Sequence, residues 1–344
     1  MLDCIKKEIQ IRKSYLNNQS LDSIYFGGGT PSILKKEEIK SIIEVIQNEF
    51  TIKEDVEITL ECNPDDLKEE HLKELIEIGI NRLSIGIQSF NDEDLKFMNR
   101  SHNAKEANSC ILLAKKVGFK NITIDLIYGL PNQSLEKWEA NLDKMFNLGI
   151  QHFSAYSLTI EDKTVLKHQI EHNKVTPLKE ETTVSHFNLL VKKAKENKFI
   201  HYEISNFGKK GYFSNHNTSY WKNKHYLGIG PSAHSFNGFS RQWNVSSNKK
   251  YIDGILNNTN YFEIETLTKQ QQYNEYIFTS LRTIWGVDKS YIDKQYNQKI
   301  KEHFYLEVEK WIQQNKIKLD QNNYILTKEG KLYADAIASD LFMV

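Results

Sequence analysis

Five β-like runs alternate with amphipathic helical runs over the first 160 residues, and this alternation limits the fold more than any other feature. The β-like runs are 23–26, 57–61, 82–87, 121–127 and 152–158. Between them Ile39, Ile42, Ile43, Ile46 and Phe50 recur at helical spacing, as do Leu72, Leu75 and Ile76. Ile111, Leu112, Leu113 and Val117 mark a third helix, and Trp138, Leu142, Met145 and Phe146 a fourth. Gly79, Gly118 and Gly149 each fall just past a helix and just before a strand, where C-cap glycines belong. Repeated βα units of this size predict an α/β fold: a parallel sheet covered by helices, with a ligand site at the C-terminal ends of the strands.

Those strand ends are polar. The first leads into Gly27, Gly28 and Gly29, then Thr30, Pro31 and Ser32; glycine lets a ligand approach the backbone, and Pro31 stops the strand. The second ends in Glu61-Cys62-Asn63-Pro64 and the third in Gln88-Ser89-Phe90. The fourth carries Asp125, with Tyr128-Gly129-Leu130-Pro131 beyond it, and the fifth ends in Tyr156-Ser157. Singly, each is as consistent with a helix cap or a loop hydrogen bond as with a ligand contact. Five in succession point to convergence on one site.

The chain opens with a helix-like segment (Ile5, Ile9 and Ile11 among lysines) that no strand precedes. Either the first βα unit of a barrel lies outside this polypeptide, or the domain starts with a helix. Beyond residue 160 come a helix over 180–195, a strand-like 201–204 and an aromatic stretch rich in Asn and His over 206–239. A compact tail follows from about residue 264: helices over 270–284 and 305–314, a hairpin 317–319/324–326, and a closing helix after Gly330. That order resembles a winged helix. The expected division is a barrel over 1–205, a connecting segment over 206–263 and a small C-terminal domain over 264–344.

With 45 basic and 45 acidic residues there is no global field to steer the chain to nucleic acid or anionic lipid. No apolar run reaches membrane-spanning length and the N-terminus has no signal-peptide core. Three widely spaced cysteines, Cys4, Cys62 and Cys110, argue against a disulfide framework and for a reducing, cytoplasmic compartment.

Four ordered segments carry a resemblance: Tyr25 to Ser32, Glu61 to Pro64, Arg82 to Phe90, and Asp125 to Pro131. Together they resemble the radical S-adenosylmethionine (SAM) proteins related to oxygen-independent coproporphyrinogen III oxidase, and the tail resembles that family's C-terminal domain. The resemblance implies a partial (β/α)6 barrel with SAM across its strand ends. It implies that Gly28, Gly29 and Thr30 present backbone groups to the methionine part, and that Glu61 accepts from the cofactor's amino group or ribose. Gln88, Arg100 and Asp125 would line the same mouth, Arg100 suiting a carboxylate and Asp125 suiting hydroxyl or amino donors. The other reading of Arg100 is a surface ion pair with Asp92, Glu93 or Asp94.

The family ligates a 4Fe-4S cluster through C-x-x-x-C-x-x-C after its first strand. No such triplet occurs here. Cys62 reads as a small buried residue and Cys110 as a helix core residue, so no radical chemistry is expected of the chain as written. The expectation is a polypeptide lacking the family's N-terminal βα unit, with a cluster-free descendant as the other possibility.

His216-Asn217-Thr218-Ser219-Tyr220-Trp221 resembles the HNxxYW signature of the HemW heme chaperones within this family. Imidazole is an axial ligand for heme iron, and Tyr220 and Trp221 offer flat apolar surface to a porphyrin. The bland alternative is a loop histidine beside packed aromatics. Of the other histidines, His168 and His172 are spaced i, i+4, His225 and His234 are second choices for iron, and His102 lies beside Arg100. The function this implies is a heme chaperone that binds heme and SAM and delivers heme to acceptor proteins, some of them respiratory or membrane-associated. The alternatives are coproporphyrinogen III oxidase, or an unrelated βα-barrel enzyme.

Overall fold

Residues two apart on a strand share a face, and the strands here use that rule to sort apolar from polar side chains. In the computed structural model, which describes residues 1–343, the strands are β1 (Leu21–Phe26), β2 (Ile52–Cys62), β3 (Arg82–Gln88), β4 (Asn121–Tyr128) and β5 (His152–Ser157). From β2 to β5 they pair in parallel. One set of rungs is apolar: Leu60 pairs with Leu83 and that with Ile122, and one step on Ile85 pairs with Ile124 and that with Phe153. All six are at most 1% exposed. At roughly 2 kcal/mol for each side chain buried, this face supplies the cohesion, and helices cover such faces in βα units.

The opposite face is polar. Its rungs are Thr59–Arg82–Asn121, Glu61–Ser84–Thr123–His152 and Asp125–Ser154–Asn206. Both ring nitrogens of the buried His152 are engaged, Nδ1 with Thr123 Oγ1 at 2.6 Å and Nε2 with Tyr202 Oη at 2.8 Å. Burial, and then the Arg82 charge, hold this imidazole well below its usual pKa, so it stays neutral.

The contacts divide the chain into two units, one of residues 23–36 and 57–214 and the other of residues 1–22, 37–56 and 215 onward. In the first, the expected strand at 201–204 is shorter than its sequence suggests. β6 (Ile200–His201) stops where Tyr202 turns its hydroxyl to His152 and Glu203 accepts from Ser205 N at 3.2 Å. The chain then returns as β7 (Asn206–Gly208), antiparallel to both β5 and β6. The sheet order is β1-β2-β3-β4-β5-β7-β6, parallel through β2–β5 with an antiparallel edge. Helices Glu69–Glu77, Ala104–Val117, Leu135–Asn147 and Glu180–Glu196 arise as their spacing predicts. Gly79, Gly118 and Gly149 take positive φ at three helix ends.

The second unit holds two small antiparallel sheets. β8 (His234–Phe236), β9 (Ser240–Asn244) and β10 (Phe262–Thr266) form one, from a stretch whose sequence gave no strand pattern. Its strands are only three to five residues long and β9 is mostly polar, so a sequence period has little length in which to show. The opening helix, Leu2–Ile11, joins this unit through Glu8. The fully buried Glu8 carboxylate accepts from Tyr251 Oη at 2.6 Å, Gly230 N at 2.8 Å and Asn244 Nδ2 at 2.8 Å. In the tail, β11 (Val287–Asp288), β12 (Ile317–Asp320) and β13 (Asn323–Leu326) form a sheet of order β11-β13-β12 beside helices Lys269–Leu281 and Gln298–Gln313, a winged-helix-like arrangement. Among the described residues no helix is long and apolar enough to cross a membrane.

Candidate functional site

β1 leaves the sheet through Gly27, where any side chain would collide: a Cβ there would lie 2.5 Å from Tyr25 Cε1 and 2.9 Å from Glu61 Oε1. Gly28 and Gly29 follow at φ +73° and +70°, a conformation that favours glycine, and a Cβ on either would meet no heavy atom within 4 Å. The loop is therefore open outward and tied inward. The tie is Glu61, near the end of β2. Its Oε1 accepts from Tyr25 Oη at 2.6 Å and its Oε2 from Gly28 N at 3.0 Å. The Gly28 N–H, expected to face a ligand, is thus given to Glu61, while each Glu61 oxygen keeps a second lone pair. Thr30 closes the loop, its carbonyl accepting from Ile33 N in the turn Pro31–Ile33.

Arg100 comes to the ends of β2 and β3, donating from Nη2 to Asn63 Oδ1 and to Gly86 O, each at 3.3 Å. The three acids considered as surface partners are occupied elsewhere: Asp92 caps Ala104 N, Glu93 pairs with Lys137, and Asp94 is buried. Gln88 sits at φ +64°, where β3 shifts register against β4. Gly86 makes room for both side chains, since a Cβ there would lie 3.0 Å from Gln88 Nε2 and 3.2 Å from Arg100 Nη2.

Asp125 completes the group from β4. Desolvation is the main cause that lifts its pKa from 3.8 to about 6; the Glu61 charge adds to this, while Ser154, Arg82 and Arg100 oppose it. Two carboxyls, the Arg100 guanidinium and two tyrosines share this region of the sheet, while Arg82 acts on Asp125 from the start of β3. Burial and then the Asp125 charge raise the Tyr156 phenol to about 12, and burial and the Glu61 charge raise Tyr25. Perturbed groups concentrated at strand ends mark a binding site more often than a scaffold. Acceptors at Glu61 and Asp125, a guanidinium at Arg100 and open glycine backbone fit an amino-acid zwitterion joined to a ribose.

In the second unit, helix Asn215–Trp221 carries His216, Tyr220 and Trp221. The His216 ring meets the Tyr220 ring edge-on at 4.9 Å, and Tyr220 meets Tyr226 edge-on at 4.7 Å. Tyr220 is 41% exposed and no residue of this helix is fully buried. An imidazole beside accessible aromatic rings has the composition a porphyrin face needs. The other histidines fit this less well. The exposed His168 and His172 rings lie 4.0 Å apart, His234 stacks on Trp243 at 6.3 Å, and among the described residues no three metal-ligating side chains cluster.

The cysteines do not fit a cluster. Cys4, Cys62 and Cys110 are all buried; Cys62 Sγ donates to Leu60 O and Cys110 Sγ to Ala107 O. Burial raises both of these thiols, Cys110 to about 12, the reverse of what a thiolate ligand requires.

Comparison with known proteins identifies the family and the fold. The family model for the radical SAM superfamily matches residues 5–145 and that for the HemN C-terminal domain matches residues 267–333. Heme chaperone HemW of Bacillus subtilis is 32% identical, over 98% of this chain and 89% of that protein. Heme chaperone HemW of Haemophilus influenzae is 31% identical, over 100% of this chain and 88% of that protein. The chain belongs to the HemW family of radical SAM proteins. Coproporphyrinogen III oxidase (HemN) of Escherichia coli shares the fold, with a TM-score of 0.84 at 21% identity over 99% of this chain and 82% of that structure.

Sequence reading missed residues that hold the candidate mouth together from below. Tyr25 fixes Glu61, and Ser154 Oγ donates to Asn206 Oδ1 at 2.8 Å beside Asp125. The signal was available. Ser84 and Ser154 alternate with Leu83, Ile85, Phe153 and Ala155 along β3 and β5, which places them on the face of Glu61 and Asp125, their rung partners.

Proposed function

We propose that this protein is a heme chaperone: it binds heme and SAM in the cytoplasm and hands heme to acceptor proteins, some of them respiratory or membrane-associated. The observation that carries the proposal is the accessible His216–Tyr220–Trp221 helix in a chain related to HemW over nearly its whole length. His216 would take the iron, with Tyr220 and Trp221 against the porphyrin. Gly28, Gly29, Thr30, Glu61, Gln88, Arg100 and Asp125 would hold SAM. Functionally the chain divides into a barrel (1–205), a connecting segment with the histidine motif (206–263) and the C-terminal domain (264–344).

Bound SAM supplies a sulfonium cation with an amino acid on one side and a nucleoside on the other. Arg100 would neutralise the carboxylate. Glu61, fixed by Tyr25 and Gly28, would accept from the amino group or ribose without paying to reorient, which favours binding by preorganisation. The three thiols are buried, and burial holds Cys62 and Cys110 in the protonated form that does not ligate iron.

Two measurements test the proposal. Hemin added to the protein should give a Soret band that His216→Ala weakens or shifts; an identical spectrum removes His216 as the ligand. Calorimetry should show SAM binding that Glu61→Gln weakens about tenfold, the loss of one charge-assisted hydrogen bond. Equal binding by the variant would take Glu61 out of the site.

A further inference from the structure

Behind the mouth, four buried polar side chains tie the ends of β3 and β4 together. Ser89, Asp94, Gln133 and Asn141 are each at most 5% exposed. Asp94 Oδ2 accepts from Ser89 Oγ at 2.8 Å and from Gln133 Nε2 at 3.3 Å. Ser89 Oγ accepts in turn from Asn141 Nδ2 at 3.0 Å and Asn91 N at 3.1 Å. Gln133 Oε1 accepts from Gly129 N at 3.0 Å, and Asn141 Oδ1 from Phe90 N at 2.7 Å. The one Ser89 proton has a second, longer acceptor in Asn141 Oδ1 at 3.3 Å, so the shorter bond to the Asp94 carboxylate is what orients the network.

Asp94 lies between two residues of the mouth in sequence and in space. Gln88 immediately precedes Ser89 and takes a left-handed backbone, which persists only where neighbours enforce it. On the other side Asp94 sits in the short helix Asp92–Phe97, capped by Asn91. That helix passes directly into Arg100, whose N–H donates to Leu95 O at 2.9 Å. Through Gln133 the same carboxylate reaches Gly129, four residues beyond Asp125. Asp94 itself does not touch the mouth.

We propose that Asp94 is a positioning residue, and that its carboxylate braces the strand end bearing Gln88, the turn bearing Arg100 and the loop after Asp125 into one rigid rim for SAM. This rests on the SAM reading above for its ligand, though not for the brace. Only an acceptor works at the centre, because both donors converge on one oxygen. An alanine leaves Gln133 Nε2 without this acceptor in the interior and Ser89 Oγ with only the longer contact to Asn141 Oδ1. An asparagine that places its Oδ1 there keeps both bonds and loses only their charge assistance.

Hydrogen exchange read by mass spectrometry on the full chain tests the brace, and calorimetry with SAM tests its purpose. Asp94→Ala is expected to speed exchange in both 86–100 and 128–134, leave the β8–β10 sheet unchanged, and weaken SAM binding about tenfold. Asp94→Asn is expected to keep wild-type exchange and bind within about threefold of wild type. Gln133→Met, a variant closer in shape, is expected to loosen 128–134 alone and serves if the alanine variant does not fold. Exchange changes confined to 92–97, or undiminished SAM binding by Asp94→Ala, would overturn the inference. Should the wild type take up no SAM, the reading of the mouth is the part that fails, and exchange in the two segments still decides whether Asp94 braces them.

Discussion

Arg82→Met is expected to cost about 3–5 kcal/mol of unfolding free energy, enough to remove much of the stability of an ordinary domain. Arg82 is 1% exposed, with its Nε 3.7 Å from Glu57 Oε2. Glu57 is itself 5% exposed and also accepts from Ser214 Oγ at 3.4 Å. The guanidinium is the cation of the polar face: it lowers Asp125 and disfavours protonated His152. Removing it takes the cation from beside the buried Glu57 carboxylate, which keeps Ser214 Oγ as a donor, and takes away one of the groups opposing the high pKa of Asp125. The destabilisation is therefore an uncompensated charge rather than a lost contact, and the second substitution distinguishes the two. Glu57→Leu added to Arg82→Met should recover most of the loss, because an apolar pair replaces a buried ion pair at little net cost. Denaturant midpoints of the three variants check this; a double variant no more stable than Arg82→Met would refute the electrostatic account.

The same residue shows what sequence could and could not reveal. Apolar alternation located β1 to β5, because a face that buries Leu60, Leu83, Ile124 and Phe153 must repeat every second residue. It also pointed to the strand ends proposed as the mouth, where Glu61 and Gln88 stand, with Asp125 inside β4. What lay between them did not show. Arg82, Thr123 and His152 each pass for ordinary strand residues until register sets them side by side. Register is a property of pairs of strands, not of any one. The early stop of β6 was hidden for a similar reason. Tyr202 has a high strand propensity, and its bond to His152, fifty residues away in sequence, overrides it. Arg100 stood open between a surface ion pair and the mouth because three acids precede it; only the structure shows each of those acids engaged elsewhere.

Asp125→Asn should stabilise the protein at neutral pH while weakening its hold on SAM. The folded carboxyl titrates at about 6 against 3.8 for a free side chain, so between those values the native state binds more protons than the unfolded chain. Its contribution is fully present below about pH 4 and is lost as pH rises through 6, an amount that reaches about 3 kcal/mol if no solvent relieves it and less because the side chain is partly open to the mouth. A hydrogen-bond conflict makes the charged form worse. Ser154 has one hydroxyl proton and gives it to Asn206 Oδ1 at 2.8 Å, so it can serve an Asp125 carboxylate only by giving up that bond. A protonated carboxyl, or the amide of the variant, can instead donate to Ser154 Oγ. The melting temperatures of wild type and variant are thus expected to coincide near pH 4 and to separate progressively up to pH 7, with the variant higher. Equal melting temperatures at pH 7, or a gap of the opposite sign, would show that Asp125 is not held against its preference. A carboxyl that the fold would be better off without, kept beside Glu61 where their charges repel, is explained by a ligand whose hydroxyl or amino donors meet both.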